Sequence, residues 1–164
     1  MSDYFPKAER VAYGLRYEPL ILPKIQEFLN DKIMKTAYCF SLLDFDGIFT
    51  WSELKVRTLD FHYTDKVIQE EGWLIPACKV LEAWRRCDEK DVWFFYLWER
   101  DGSLWAMKFD SEYFTTLMPR VPKFHQDSQL HYYVPSEKWV KVADLKIDDE
   151  LRRSPKQCLI LDDV

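Results

Sequence analysis

Apolar and polar positions recur with different periods along this chain, and each change of period marks an element. Between residues 18 and 32 (EPLILPKIQEFLNDK), Ile25, Phe28 and Leu29 recur at helical spacing. A helix is expected there, starting near Pro23, because proline is tolerated in a first turn. Lys35 to Leu43 is expected as a strand that runs into Asp44-Phe45-Asp46-Gly47. Asp-Gly between β-prone runs signals a hairpin, and Ile48 to Val56 is its β-branched and aromatic return. Helical positions follow from 66 to 86, broken at Gly72 and resuming near Pro76, with Ile75, Val80, Leu81 and Trp84 as an inner face. Asp91 to Trp98 (DVWFFYLW) is apolar on both faces, as a strand covered on both sides would be. Glu99-Arg100-Asp101-Gly102 reads as a turn and Leu104 to Phe109 as the return. A short helix from Ser111 to Met118, capped by Ser111, is expected next. Then come a loop from Pro119 to Gln129 holding Arg120, Lys123 and His125, an edge strand from Leu130 to Val134, and a helical turn or strand from Trp139 to Leu145. Nothing regular is expected in residues 1–17, and the tail 146–164 is expected to be loose. The order of elements predicts an α/β protein, a central mixed β-sheet flanked by helices. It forms a single domain over 1–164 with its core at about 18–145.

Composition narrows the function classes. With 164 residues, 48% hydrophobic and 31% charged, the chain suits a globular domain with a proper core. Seven Trp and nine Tyr point to a bulky core with an aromatic-lined groove or partner surface, with base stacking as the alternative. A net charge of −5 argues against a general nucleic-acid coat. It leaves open an enzyme that meets DNA through one local positive face, and equally a protein that binds another protein's basic surface. Cys39, Cys78, Cys87 and Cys158 form no Cys-x-x-Cys pair, which argues against structural zinc; Cys39 and Cys78 are expected to pack as small hydrophobes. Without a signal peptide or long apolar run, a cytoplasmic location and no membrane partner are expected. Four glycines leave no phosphate-cradling loop. Gly47 and Glu53 satisfy Gly-x5-Glu, and Gln69-Glu70-Glu71-Gly72 follows, but Phe61-His62 stand where a Nudix box needs Arg-Glu. Ser41 and Ser52 fall in strands rather than on a nucleophile elbow.

The chemistry concentrates on the hairpin. Alternation puts Trp51, Glu53, Lys55 and Arg57 on one face of the return strand, with Ser52, Leu54 and Val56 on the other. A carboxylate and an ammonium two positions apart on a mostly apolar strand form either a surface ion pair or half of a metal-dependent site. The same spacing at Asp88–Lys90 and Asp144–Lys146 falls in charged stretches. Asp44 or Asp46 would supply the second carboxylate needed to hold Mg²⁺ or Mn²⁺ by oxygen. Asp44, Glu53 and Lys55, in that order, resemble the motif of the PD-(D/E)xK nuclease superfamily. The resemblance covers roughly residues 36–110 by order of elements, and Leu43 stands where the motif has Pro.

That resemblance implies a restriction-endonuclease-like core and Mg²⁺- or Mn²⁺-dependent cleavage of phosphodiester bonds in DNA, ahead of RNA. It implies metal ligation by Asp44 (or Asp46) and Glu53, and a water-positioning role for Lys55. Lys79 would be a helical lysine reaching back to the site, and Glu27 an acidic residue on the preceding helix. Small size suggests, by analogy, a phage or mobile-element protein. The plain readings are a solvated Lys79, a solvated Glu27, a hydrogen-bonded loop His62, and a hairpin ion pair worth ~0–1 kcal/mol. The alternative function is a non-catalytic protein-binding module, a degenerate nuclease fold or a phage-encoded inhibitor of a host protein; a homodimer or protein partner also stays open. Geometry is the discriminator. A tight turn centred on Asp46-Gly47 pairs Asp44 with Phe49, roughly 13 Å from Glu53 at ~3.3 Å per residue. Sharing a metal then requires a bulge, a wider loop or a crossing of the strands.

Overall fold

A computed structural model of the chain describes residues 16–36, 43–57, 72–121 and 129–148. Helix α1 (Glu18–Leu29) starts earlier than Pro23, with Pro19 in its first turn, and ends at Asn30 in the left-handed conformation (φ 48°). Ile21 and Ile25, four apart, are its buried stripe. Three strands follow: β1 (Ile33–Lys35), β2 (Phe45–Gly47) and β3 (Thr50–Arg57). Next come β4 (Trp73–Pro76), α2 (Ala77–Arg86), β5 (Asp91–Trp98) and β6 (Ser103–Lys108). The chain continues through α3 (Ser111–Thr115), β7 (His131–Val134), a 3-10 turn at Ser136–Lys138 and β8 (Val140–Asp144).

Six strands form a mixed sheet in the order β1-β2-β3-β5-β6-β8. Among the described strands only the central β3–β5 pair is parallel, with Glu53 beside Phe94 and Lys55 beside Tyr96. β5 is apolar throughout because both its faces are covered. Val92, Phe94, Tyr96 and Trp98 enter one core with Val80 and Ala83 of α2, while Phe95 and Leu97 enter another with Ile21 and Ile25 of α1. The separate β4–β7 ribbon lies on the α2 side, its Trp73 stacked on Trp139 at 5.0 Å between ring centroids. This is the expected class, an α/β protein with a mixed sheet flanked by helices.

Several elements differ from expectation. Gly72 to Pro76 does not belong to a helix: Trp73, Leu74 and Ile75 are buried in consecutive positions and pair antiparallel with β7. A four-residue apolar run cannot be told from a buried helical turn by periodicity. Leu81 faces outward at 57% exposure, so the inner face of α2 is Val80 and Ala83 with Trp84 half-buried. Asp110, not Ser111, caps α3, its Oδ1 accepting from the backbone N–H of Glu112 (3.0 Å) and Tyr113 (3.3 Å). Trp139 to Leu145 resolves as strand β8. Residues 37–42, within the expected strand Lys35 to Leu43, lie outside the described residues, as do the helical positions 66–71 and the tail from 149.

Candidate active site

Asp46-Gly47 is not the hairpin turn. Both residues belong to β2, and the chain reverses at Ile48-Phe49. A carboxylate from outside the hairpin dictates this. Asp31, just past α1, accepts the backbone N–H of Ile48 at Oδ1 (3.1 Å) and of Phe49 at Oδ2 (3.0 Å), and the Thr50 hydroxyl at Oδ2 (2.8 Å). Gly47 makes room for it, because a Cβ there would collide with Asp31 Oδ2. Burial raises the Asp31 carboxyl's pKa, but the bonds from Thr50, Phe49, Lys32 and Ile48 outweigh that and hold it below the usual range.

The register decides where the acids meet. Phe45 pairs with Ser52 and Asp46 with Trp51, so the next step outward sets Asp44 beside Glu53. Asp44 Oδ2 accepts the backbone N–H of Leu54 (2.9 Å), and the Asp44 and Glu53 carboxyl groups lie within hydrogen-bonding reach of each other. From α2, Lys79 Nζ reaches Glu53 Oε1 at 3.0 Å. Burial pushes the Glu53 carboxyl well above its ordinary pKa; the Asp44 charge adds to this, and Lys79 only partly offsets it. Burial acts to lower the Lys79 pKa, but the Glu53 and Asp44 carboxylates prevail and raise it. Asp44, Glu53 and Lys79 thus form one interacting cluster, in which burial outweighs the Lys79 charge at Glu53.

Asp46 is engaged elsewhere. Lys90 Nζ binds its Oδ1 at 2.8 Å and the Gly47 carbonyl at 2.7 Å, while also lying 4.3 Å from the Trp51 ring centroid. Arg86 lies over the same ring at 4.7 Å. Lys55 shares the face of Glu53 and, with Phe94, Tyr96 and Trp139, lines a cavity with room for about one water molecule. Glu27 is far from this pocket: α1 packs on the opposite face of the sheet, and the Glu27 side chain is 80% exposed. Cys78 is exposed rather than packed as a small hydrophobe, since its neighbours on α2 take the inner face. Cys39, His62, Lys123 and His125 lie outside the described residues.

The residues present fit a hard divalent cation. Glu53 Oε2 is buried and has no hydrogen-bond donor, an arrangement whose cost an oxygen-seeking cation would remove. Among the described residues no group of three or more His, Cys, Asp and Glu is placed to hold a metal ion. A cation held by Asp44 and Glu53 would therefore keep several ligands for water and substrate oxygen.

Two features were not legible beforehand. One is the Asp31 clamp; the other is the bond of Arg57, whose Nε donates to the Tyr96 hydroxyl at 2.6 Å, with that hydroxyl donating in turn to the Leu74 carbonyl at 3.4 Å. The signals were a tyrosine within an otherwise apolar strand and an arginine two positions beyond Lys55 on its face. No described helix is long and apolar enough to cross a membrane. No protein-family model, curated protein or solved structure matches this chain.

Proposed function

We propose that this chain is a metal-dependent nuclease that hydrolyses phosphodiester bonds of DNA or RNA, with Asp44 and Glu53 as the ligands of Mg²⁺ or Mn²⁺. One observation carries the reading: the β2–β3 register brings two carboxyls from different strands together, one of them with a buried oxygen that no donor reaches. A cation bound there would supply a water of lowered pKa and polarise a phosphoryl oxygen. The chain's own residues account for the rest. Lys79 holds Glu53 in place through Oε1 and leaves Oε2 available. Lys55, on the same face, is the amine that offsets charge on a phosphate and orients a nucleophile. Asp46 is left out of the ligand set because Lys90 occupies its carboxylate.

A second reading, a non-catalytic binding module with Asp44, Glu53 and Lys79 as an internal ionic lock, is favoured by how little room the pocket beside Lys55 offers. Purified protein incubated with single- and double-stranded DNA and RNA, with Mg²⁺ or Mn²⁺, separates the two. Cleavage that disappears in Glu53→Gln and in Lys55→Ala, together with calorimetric metal binding lost in Glu53→Gln, is expected. Absence of both cleavage and metal binding would leave the ionic lock.

A further inference from the structure

The face of β3 that carries Glu53 and Lys55 ends in a second unsatisfied group of opposite sign. Arg57 Nη2 is buried and has no acceptor, although the same guanidinium is fixed by its Nε bond to the Tyr96 hydroxyl and lies over the Tyr96 ring (5.7 Å from Cζ to centroid). Trp51 Nε1 and Trp139 Nε1 are also buried without acceptors. A neutral indole is the cheaper group to leave unmatched; a charged donor costs more. A planar fork with one arm fixed by protein and a buried arm that lacks an acceptor is pre-arranged for an oxyanion. Successive same-face positions on a strand lie ~6.6 Å apart, so Arg57 stands about one such step beyond Lys55 and two beyond Glu53. That step is comparable with the spacing of adjacent phosphates along a nucleic-acid strand.

We infer that Arg57 is the seat for a non-scissile phosphate of a nucleic-acid strand, one or two nucleotides from the bond that Asp44 and Glu53 address. The oxyanion character of the ligand follows from Arg57 and Tyr96 alone; its being a nucleic-acid phosphate rests on the nuclease reading. The seat makes the protein a reader of oligonucleotides rather than of isolated phosphodiesters. Tyr96 is a positioning residue for it, acting through the guanidinium.

Binding of a fluorescein-labelled tetranucleotide, followed by anisotropy in EDTA across a salt series, tests the seat without the metal. Arg57→Gln is expected to weaken binding roughly ten- to hundredfold, the loss of one charged hydrogen bond. The slope of log affinity against log salt should shrink by about 0.7, one phosphate contact on a single strand. Tyr96→Phe should weaken binding less than Arg57→Gln. With metal restored, KM for the oligonucleotide should rise in Arg57→Gln by a larger factor than KM for bis(p-nitrophenyl) phosphate, which has a single phosphate. Should Arg57→Gln fail to fold, Arg57→Lys, which keeps the charge and loses the fork, reads the same contact. Unchanged affinity and salt slope would overturn the seat, as would equal losses on both substrates. Cleavage retained alongside that result would leave the nuclease reading standing. Arg57-dependent binding without any cleavage would keep the oxyanion seat and remove the nuclease.

Discussion

Glu53→Gln should make the metal-free protein more stable. In the wild type, the Glu53 side chain is 11% exposed, lies within hydrogen-bonding reach of the Asp44 carboxyl, and shares the Lys79 ammonium with it. Glutamine keeps the shape and an acceptor for Lys79. Its amide can donate toward Asp44, and it leaves one carboxylate matched to one ammonium. Replacing an imperfectly compensated buried charge by a neutral isostere is worth about 1–3 kcal/mol in favour of the fold. For a domain of this length that corresponds to a rise in Tm of roughly 3–10 °C. The gain has a definite pH signature. Because the Glu53 pKa is raised in the folded state, the wild-type fold binds a proton that the unfolded chain has lost, from the ordinary value of 4.5 up to the raised one. Wild-type stability therefore falls as pH rises through that window, and the advantage of glutamine should grow as pH rises from 4.5 through it. Urea titrations in EDTA at several pH values measure it, and a metal series completes the argument. Mg²⁺ or Mn²⁺ at 100 times its Kd should stabilise the wild type by about 2.7 kcal/mol and leave Glu53→Gln unmoved. A variant less stable than the wild type in EDTA, or a difference independent of pH, would refute the reasoning about this pocket.

Removing the cation instead of the acid should act oppositely. Lys79→Met removes the ammonium bound to Glu53 Oε1 and should cost about 3 kcal/mol at neutral pH, with the loss shrinking in acid, as read by the same titrations. Asp31→Ala releases two backbone N–H groups and a hydroxyl at the β2–β3 turn and should cost about 1–3 kcal/mol. Since the Asp31 pKa is lowered, its contribution is present above the ordinary value of 3.8 and fades as pH falls further, so the acid limb of wild-type unfolding should flatten in this variant. Tyr96→Phe deprives Arg57 Nε of its acceptor and should cost about 1–2 kcal/mol in chemical denaturation, with the fold otherwise intact by circular dichroism.

Where a residue's role depends on its own strand period, the sequence announces it. The alternation that puts Glu53, Lys55 and Arg57 on one face is visible in TWSELKVR, and the two-sided burial of β5 is visible in DVWFFYLW. Lys79 could be placed on a helix after the hairpin but not aimed, because the four residues before that helix were not recognisable as a strand. α2 starts at Ala77, close to the restart expected near Pro76, and Trp73–Pro76 paired to β7 sets Lys79 at Glu53. The Arg57–Tyr96 bond joins positions 39 apart, across neighbouring parallel strands, and no local pattern encodes that pairing.

The choice between Asp44 and Asp46 shows why local turn chemistry was insufficient. Asp-Gly favours a tight hairpin because glycine accepts positive φ, and on that basis Asp44 falls opposite Phe49. Here Gly47 is needed for a different reason: its missing Cβ admits the Asp31 carboxylate, and among the described glycines only Gly72 and Gly102 have positive φ. Asp31 then captures the two amides that follow Gly47 and moves the reversal to Ile48-Phe49. Because the strand period is two, sliding the pairing by an even number of residues keeps every face and changes only which residues are opposite. The slide takes the partner of Asp44 from Phe49 to Glu53, four positions along, and leaves Asp46 beside Trp51, within reach of Lys90. Gly47→Ala tests this coupling directly. The added methyl displaces Asp31 and should destabilise the protein by about 1–3 kcal/mol. If the register depends on that clamp, it should also weaken metal binding at Asp44 and Glu53, three residues along the hairpin, by more than the matched change Ile48→Ala. Equal metal affinity in the two variants would mean that the register holds without Asp31.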